Sequence, residues 1–367
     1  MKRITLVVGA LLLSCTLLFA AGGQQQQQQQ QSGGSSQIRV TALIRNLNEQ
    51  FVKDYSEVLR RLARERGVEL NLQDANNAQD TQLTQLQTAI NQGYRLFIII
   101  PVERDLSEQM NKMINDVGGI AAYSNVAPTV DSLKISKNFF YASSPETVAG
   151  RYQGDIIADY FDKYPNKAPG KALNMLYIRG MDGYTATKFR EIGMQAALKD
   201  RGYAVKYIAA DTANWAPDQA QQKMDAWLAA YKGQFNVVVA QNDGMALGAV
   251  ESLIANGYTK ANADDGTVLQ FPVLGVDATQ DALNSMNESK LYATVLQDAV
   301  GQATTAFDVI YQYASTGSIL GKVANGISPA TQTTEEAPAD DPAVIGQCYM
   351  VPFVPVTKAN YRDYLAK

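Results

Sequence analysis

The chain has 367 residues, a formal net charge of −4 and no histidine. The lack of histidine excludes His-based catalytic triads, histidine general bases and the commonest protein metal ligand. The weakly acidic charge balance, without a basic stripe, argues against nucleic acid or a membrane surface as a partner. The length accommodates two domains of ordinary size.

The N-terminal segment has the profile of a secretory signal. Two basic residues precede an apolar run from Ile4 to Ala21, and small and polar residues follow it. We therefore expect residues 1–20 to be a signal peptide and the protein to be exported. No cluster of Lys or Arg follows the run, which argues against an uncleaved anchor. Lipidation at Cys15 is an alternative, because LLSC resembles a lipobox. The apolar residues after Cys15 favour ordinary cleavage near Ala20.

Residues 21–37 are rich in Gln, Gly and Ser and include eight consecutive glutamines. Such a segment buries almost nothing, so we expect a flexible tether, which would suit a lipid-anchored protein. Cys15 and Cys348 are the two cysteines. Loss of the signal would leave one of them, so the mature chain has no intrachain disulfide and its stability must come from the core.

From Ile38 onward, short apolar runs alternate with stretches of helical period, which predicts repeated βα units. Several runs are apolar on both faces, so we expect parallel sheets covered by helices on both sides. A (βα)8 barrel is the alternative, but nine or ten units favour two doubly wound, Rossmann-like lobes. The strand-like runs lie at 40–44, 68–72, 96–100, 121–124, 173–178, 205–210, 237–240, 273–276 and 292–295.

Polar residues follow these runs where a doubly wound sheet binds its ligands, at the carboxyl ends of the strands. They combine an aromatic side chain with amides, acids and an arginine, the chemistry that holds a sugar. The absence of a Gly-rich phosphate loop favours a neutral ligand. The residues are Asn48, Glu49, Phe51, Asn125, Asp182, Tyr184, Arg190, Trp215, Asn242, Asp243, Asp277, Gln297 and Asp298.

Each of these residues also has a plain structural explanation. Asp243 and Asp277 could be helix N-caps, Trp215 could be simple packing, and Phe51 could be the first apolar position of its helix. Their coincidence at successive strand ends favours a shared site. The segment Thr316 to Asp341 has no periodicity, and we expect a mobile surface insertion there.

Five ordered motifs, DTANW, QQKMDAWL, VVVAQNDGMALGAVE, FPVLGVDA and ATVLQDA, carry a family resemblance. From about Ile38 to the C-terminus the chain resembles the periplasmic D-galactose/D-glucose-binding proteins of the type I periplasmic binding protein superfamily. The resemblance implies two lobes joined by three hinge crossovers, at 38–142 plus 297–345 and at 143–296 plus 346–367. It also implies a monomer that an ABC permease of the inner membrane recognises, and in some members a chemoreceptor.

The resemblance assigns sugar-binding roles to individual residues. Phe51 and Trp215 match the aromatic pair that sandwiches the pyranose ring, and Glu49 falls where the family has an aspartate. The other matching positions are Asn125, Arg190, Asn242, Asp277 and, in place of an asparagine, Gln297.

The chain also departs from the family pattern. Tyr184 and Ala186 replace a histidine and an aspartate, which removes a hydroxyl-reading carboxylate and leaves the epimer, and even hexose over pentose, open. YPNKAPGK and Asn236 replace the family's calcium ligands, so we expect neither metal nor cofactor.

The combined prediction is a protein that captures a glucose- or galactose-like aldose for an ABC transporter. A pentose or another neutral sugar in chemosensing is an alternative. A glycosidase using Glu49 and Asp277 is disfavoured, because neighbouring amides and Arg190 are expected to lower the pKa of both acids, whereas a general acid needs it raised. A sugar-sensing repressor is disfavoured because a signal occupies the place of a DNA-binding domain.

Overall fold

The computed structural model describes residues 37–319, 321–334 and 336–366. The predicted signal peptide, Cys15 and the tether up to Ser36 lie outside these ranges. Among the described residues, no helix is both long enough and apolar enough to cross a membrane.

Strands and helices alternate along most of the described chain. The strands are β1 (Arg39–Ile44), β2 (Glu69–Asp74), β3 (Leu96–Ile99), β4 (Ile120–Tyr123), β5 (Phe139–Ser143), β6 (Ala172–Arg179), β7 (Ala204–Thr212), β8 (Val237–Ala240), β9 (Val273–Leu274), β10 (Thr294–Leu296), β11 (Cys348–Met350) and β12 (Val354–Val356). The helices are α1 (Gln50–Glu65), α2 (Gln79–Asn91), α3 (Leu106–Asp116), α4 (Val130–Lys134), α5 (Glu146–Lys163), α6 (Thr185–Asp200), α7 (Pro217–Ala230), α8 (Asp243–Ala255), α9 (Gln280–Asn287) and α10 (Ala299–Thr316).

The first lobe is built on a parallel sheet with the strand order β11-β5-β4-β3-β1-β2. Its central strands are apolar on both faces, as in β3, where Phe97, Ile98 and Ile99 are all buried. Helices α1 and α10 contact each other, and α10 also packs on β3, β4 and β5. This sandwich of helices and a parallel sheet is a doubly wound lobe.

The second lobe is built on the parallel order β7-β6-β8-β9. Parallel bridges from Leu274 to Ala293 and from Asp277 to Leu296 bring β10 beside β9, and β12 pairs with β10 in antiparallel sense. The prediction of two doubly wound α/β lobes is confirmed, and the barrel alternative is wrong. The expectation of wholly parallel sheets is wrong at β12.

The backbone crosses between the lobes at three places in the described chain. The crossings follow β5, β10 and β11, at residues 143–146, 296–299 and 350–354. The predicted lobe boundary at 345/346 comes too early, because Cys348 to Met350 pair with Tyr141 to Ser143 in the first-lobe sheet. Residues 346–350 therefore belong to the first lobe.

Helices α5 and α6 pack closely at Gly150, where a Cβ atom would lie 2.0 Å from the carbonyl oxygen of Arg190.

The segment from Gly317 to Val344 forms neither helix nor strand where it is described, but it buries Val323, Glu336 and Ala339. These buried positions fix part of the insertion that the sequence suggested would be mobile.

Candidate functional site

A cavity of about 230 Å³ lies between the two lobes, at the carboxyl ends of their strands. This volume is below the roughly 300–1,000 Å³ of sites for drug-sized ligands. Asp182, Asp243 and Asp298, which the sequence also suggested, are not among its lining residues. The nine predicted site residues all line it: Glu49, Phe51, Asn125, Tyr184, Arg190, Trp215, Asn242, Asp277 and Gln297.

The two lobes each contribute a large aromatic side chain to this cavity. Phe51 comes from the first turn of α1 and Trp215 from the loop between β7 and α7, and each is 7% exposed. Asn214 and Trp215 have φ angles of 51° and 64°, a conformation that costs free energy in a non-glycine residue. The Trp215 ring lies against Gly180, where a Cβ atom would be 2.0 Å from it. The backbone is thus shaped to hold the ring at the cavity.

Asn242 holds the Trp215 loop in place. Its side-chain oxygen accepts a hydrogen bond of 2.9 Å from the backbone N–H of Met245, and its Nδ2 donates to the carbonyl oxygen of Trp215 at 3.3 Å. Asn242 is therefore the N-cap of α8. From the sequence, Asp243 had been the candidate for this role. Its amide already has two partners within the protein.

Asp243 stabilises the neighbouring loop instead. It accepts hydrogen bonds from the Thr294 hydroxyl at 2.6 Å and the Thr279 backbone N–H at 2.9 Å. Burial raises the pKa of Asp243 to about 6. Thr279, not Asp277, is the N-cap of α9.

Asp277 presents its carboxylate to the cavity from an unusual backbone conformation. Its φ is 128° and that of Ala278 is 55°, and no hydrogen bond from a described residue reaches the carboxylate. Burial raises the pKa of Asp277 well above its ordinary value; Arg190 opposes the shift and Asp243 adds to it. Asp277 is consequently an acceptor available to a ligand.

Arg190 is buried and is bound largely by the protein itself. Its Nε donates to Glu146 at 2.7 Å and its Nη2 to the side-chain oxygen of Gln297 at 2.9 Å. Its Nη1 donates to the carbonyl oxygen of Gln241. Three of the five guanidinium N–H groups are thus used, and at most two remain for a ligand.

Arg45 also lines the cavity, although it was not among the site residues predicted from the sequence. It pairs through Nη2 with Glu49, and its side chain is 4% exposed. Its Nε and Nη1 are buried and have no hydrogen-bond partner in the described ranges. Arg45 immediately follows β1, so the rule that selected the other strand-end residues could have found it.

The expected lowering of the two acidic pKa values is wrong. Burial raises the pKa of Glu49, and the nearby charge of Arg45 opposes the shift without overcoming it. The same holds for Asp277 and Arg190. Removal of both carboxylates from water therefore outweighs the neighbouring cations.

Tyr184 lines the cavity but uses its hydroxyl group elsewhere. The hydroxyl donates to the carbonyl oxygen of Val102, in the first lobe, at 2.6 Å. The ring lies 5.2 Å from the guanidinium carbon of Arg45 and meets the Trp215 ring edge-on at 6.4 Å. Tyr184 therefore connects the two lobes.

Within the described part of the chain, no group of three or more His, Cys, Asp or Glu side chains is placed to hold a metal ion. Where the resemblance compares the chain with a calcium loop, Lys167 pairs with Asp265. The side chain of Asn236 donates to the carbonyl oxygens of Lys167 and Ala172.

Comparisons with known proteins connect this geometry to a family. Residues 41–318 match the family model described as "Periplasmic binding protein domain". The chain is 30% identical over 318 residues to a putative rhizopine-binding protein of Rhizobium meliloti, which covers 86% of each chain. It is 25% identical over 304 residues to the D-galactose/methyl-galactoside binding periplasmic protein of Haemophilus influenzae, 82% of this chain and 83% of that protein.

Among solved structures, the chain is similar to an ABC transporter solute binding protein from Bacillus halodurans C-125 with bound myo-inositol. The two share 25% sequence identity and superpose with a TM-score of 0.71. The match covers 91% of this chain and 99% of the other.

Proposed function

Because the chain belongs to the periplasmic binding protein family, we propose that it captures a neutral monosaccharide or similar ring polyol between its lobes and delivers it to an ABC permease. The observation that carries this proposal is the cavity that brings Phe51 and Trp215 from opposite lobes together with amides and acids. Aromatic faces suit the C–H surface of a sugar ring, and planar amides and carboxylates suit its hydroxyls.

The hydrogen-bonding groups left without protein partners match a polyhydroxylated ligand. Trp215 Nε1 and Gln297 Nε2 are buried donors that lack a partner among the described residues, and Asp277 is an acceptor that lines the same cavity. A hydroxyl group both donates and accepts, so one ring can satisfy both kinds of group. A ligand would thereby remove the cost of leaving these groups unpaired.

A glucose- or galactose-like aldose is our first choice of ligand. The relative from Haemophilus influenzae is named for D-galactose and methyl-galactoside. A cyclitol is the second candidate, because the similar Bacillus halodurans structure holds myo-inositol. Ala186 stands where the resemblance places a hydroxyl-binding aspartate, and Tyr184 where it places a histidine. These two changes are compatible with either ligand or with a pentose.

Isothermal titration calorimetry with D-glucose, D-galactose, D-xylose, D-ribose and myo-inositol tests the proposal. We expect saturable heat with at least one of them and the tightest binding for D-glucose or D-galactose. Mass spectrometry of ligand that co-purifies with the protein gives an independent identification. No heat with any of the five, and no co-purified ring polyol, would rule the proposal out.

For transport, the lobes would rotate about their three crossovers when the ligand binds. The permease, and a chemoreceptor if the protein has one as a partner, would recognise the surface that forms on closure. We propose a periplasmic monomer. The mass of the mature N-terminus distinguishes cleavage near Ala20 from lipidation at Cys15, and light scattering checks the monomer.

The raised pKa values of Glu49 and Asp277 call for a direct test of the glycosidase alternative. We expect no release of nitrophenol from nitrophenyl glucosides or galactosides by the purified protein. Release that is lost in Glu49→Gln or Asp277→Asn would favour the enzyme.

A further inference from the structure

The two lobes touch beside the cavity through Tyr184. This residue precedes α6 in the second lobe, and its hydroxyl donates a hydrogen bond of 2.6 Å to the Val102 carbonyl oxygen in the first lobe. Its ring lies 5.2 Å from the guanidinium carbon of Arg45, also in the first lobe. Tyr184, Val102 and Arg45 are all buried. One side chain thus makes two different contacts across the cleft.

The surroundings of Arg45 depend on this contact. Arg45 has one charged partner, Glu49, in its own lobe, while its Nε and Nη1 are buried without a hydrogen bond to any described residue. Buried N–H groups without acceptors cost free energy. The face of an aromatic ring attracts a cation and offsets part of this cost. Tyr184 therefore allows the arginine to be covered when the lobes meet.

We propose that Tyr184 is a positioning residue that latches the lobes, increasing ligand affinity by stabilising the closed arrangement and not by donating its hydroxyl proton to the ligand. The inference deepens the proposed function and rests on it for the presence of a ligand between the lobes. It differs from the direct sugar contact that the sequence predicted for Tyr184. The Tyr184 ring also packs against the Trp215 ring at an interplanar angle of 84°.

The latch has a kinetic signature. A ligand enters when the lobes are apart, and the Tyr184 contacts form when they meet. Weakening these contacts shifts the equilibrium toward the open arrangement, so the ligand leaves faster. Its rate of entry does not fall, because a larger fraction of the free protein is open. A hydroxyl that reads the ligand directly would give a loss that depends on the hydroxyl pattern of the ligand.

The test compares Tyr184→Phe, which keeps the ring and removes the hydrogen bond, with Tyr184→Leu, which removes both contacts. Stopped-flow tryptophan fluorescence is measured with D-glucose, D-galactose and myo-inositol. We expect Kd in Tyr184→Phe to rise about 3- to 10-fold, the effect of one ordinary hydrogen bond, through the dissociation rate. The factor should be the same for each probe that binds, and Tyr184→Leu should lose more.

The matched control is Tyr207→Phe, because the Tyr207 hydroxyl bonds to Gln195 within the second lobe at 2.7 Å. Its binding kinetics should equal those of the wild type. A loss in Tyr184→Phe that appears in the association rate alone, or differs between probes, would overturn the latch.

A second measurement needs no ligand. Small-angle X-ray scattering of the full chain should give a larger radius of gyration for Tyr184→Phe and Tyr184→Leu than for the wild type and Tyr207→Phe. Equal radii for all four proteins would overturn the latch. This result does not depend on which sugar binds, so it separates failure of the latch from failure of the proposed function.

Discussion

Arg190 in the second lobe and Arg45 in the first lobe line the same cavity but differ in their partners. Arg190 is held by Glu146, the Gln241 carbonyl oxygen and Gln297. Arg45 has one such partner, and two of its nitrogens have none among the described residues. The two asparagines differ in the same way: Asn242 bonds to the protein through both side-chain atoms, whereas the structure describes no side-chain hydrogen bond for Asn125.

This difference indicates that the two sides of the cavity have different roles. We call the side with Arg190 and Asn242 the second-lobe wall and the side with Arg45 and Asn125 the first-lobe wall. Bonds within the protein fix the second-lobe wall around Arg190, so its geometry is set before a ligand arrives. In the first-lobe wall, Arg45 and Asn125 keep bonding capacity for the ligand or for the opposite lobe. Outside the cluster around Arg190, Trp215 and Asp277 keep theirs on the second-lobe side. A site that is preorganised on one side loses less conformational entropy on binding than one that is loose on both.

Substitution of Arg190 by methionine is expected to have the largest effect, because it leaves Glu146 buried without a cation. Breaking a buried pair in this way lowers the free energy of unfolding by about 3–5 kcal/mol, measurable by urea denaturation. The control is Arg151→Met, whose exposed pair with Asp200 contributes at most about 1 kcal/mol. Arg190→Met combined with Glu146→Gln should recover part of the loss. Equal losses in Arg190→Met and Arg151→Met would show that the second-lobe wall does not depend on this pair.

Removal of the second-lobe aromatic face comes next. Trp215→Ala should weaken binding of the ring ligand by about 2 kcal/mol or more, because a buried platform is lost. Calorimetry of the variant measures the change. Trp227→Ala on α7 is the control, because Trp227 does not line the cavity and should leave the affinity unchanged. Wild-type affinity in Trp215→Ala would mean that the ring is only part of the core.

The carboxyl group of Glu336, close to the first crossover, is expected to make the stability of the fold depend on pH. Glu336, from the first lobe, accepts a hydrogen bond of 3.0 Å from the backbone N–H of Thr147 at the start of α5. Burial, together with repulsion by Glu146, raises the pKa of Glu336 to about 8. Because the folded protein then binds a proton that the unfolded chain has already released, stability falls as the pH rises from about 4.5 to 8.

Glu336→Gln keeps the acceptor oxygen and removes the titration. Urea unfolding at pH 5, 6.5 and 8.5 should show a flatter profile, with the variant about 1–2 kcal/mol more stable than the wild type at pH 8.5. Glu288→Gln is the control, because the pair of Glu288 with Lys290 is partly exposed. A wild-type slope in Glu336→Gln would assign the pH dependence to other acids, such as Asp243.

Substitutions of Asn242 and Asn125 are expected to have the smallest effects, and they allow the most direct comparison of the two walls. Asn242→Ala should lower the free energy of unfolding by about 1 kcal/mol, the usual cost of a lost N-cap, and should weaken binding because the Trp215 loop is released. Asn125 has a φ of 59°, so Asn125→Gly is the suitable partner variant. It should weaken ligand binding by about 1 kcal/mol with little change in stability. Equal stability losses would remove the distinction between the walls.

The strand positions and the location of the site could be predicted because both depend on short-range pattern. Val237 to Ala240 form β8 at the predicted bounds, since a run that is apolar on both faces fits a covered parallel strand. The nine cavity residues could be located because they follow such runs. Their individual roles are a separate matter, and for ligand binding they stay predictions.

What the sequence did not predict depends on contacts between distant parts of the chain. The burial of Arg45 comes from Glu49 nearby and from Tyr184 in the other lobe, and the second contact has no local signal. Strand β11 has three residues, and its partner β5 lies about two hundred positions earlier. The raised pKa of Asp277 comes from burial between the lobes, which the sequence alone does not show.

The close packing of α5 on α6 affects how motion reaches the ligand. At Gly150 the two helix backbones touch without an intervening side chain, and the first crossover leads directly into α5. Tyr184 and Arg190 lie at the start of α6 and within its second turn. Rotation at the crossover therefore carries both side chains with it as part of one rigid block. A bulkier residue at position 150 would wedge these helices apart and separate the hinge movement from the grip on the ligand, even though position 150 does not line the cavity.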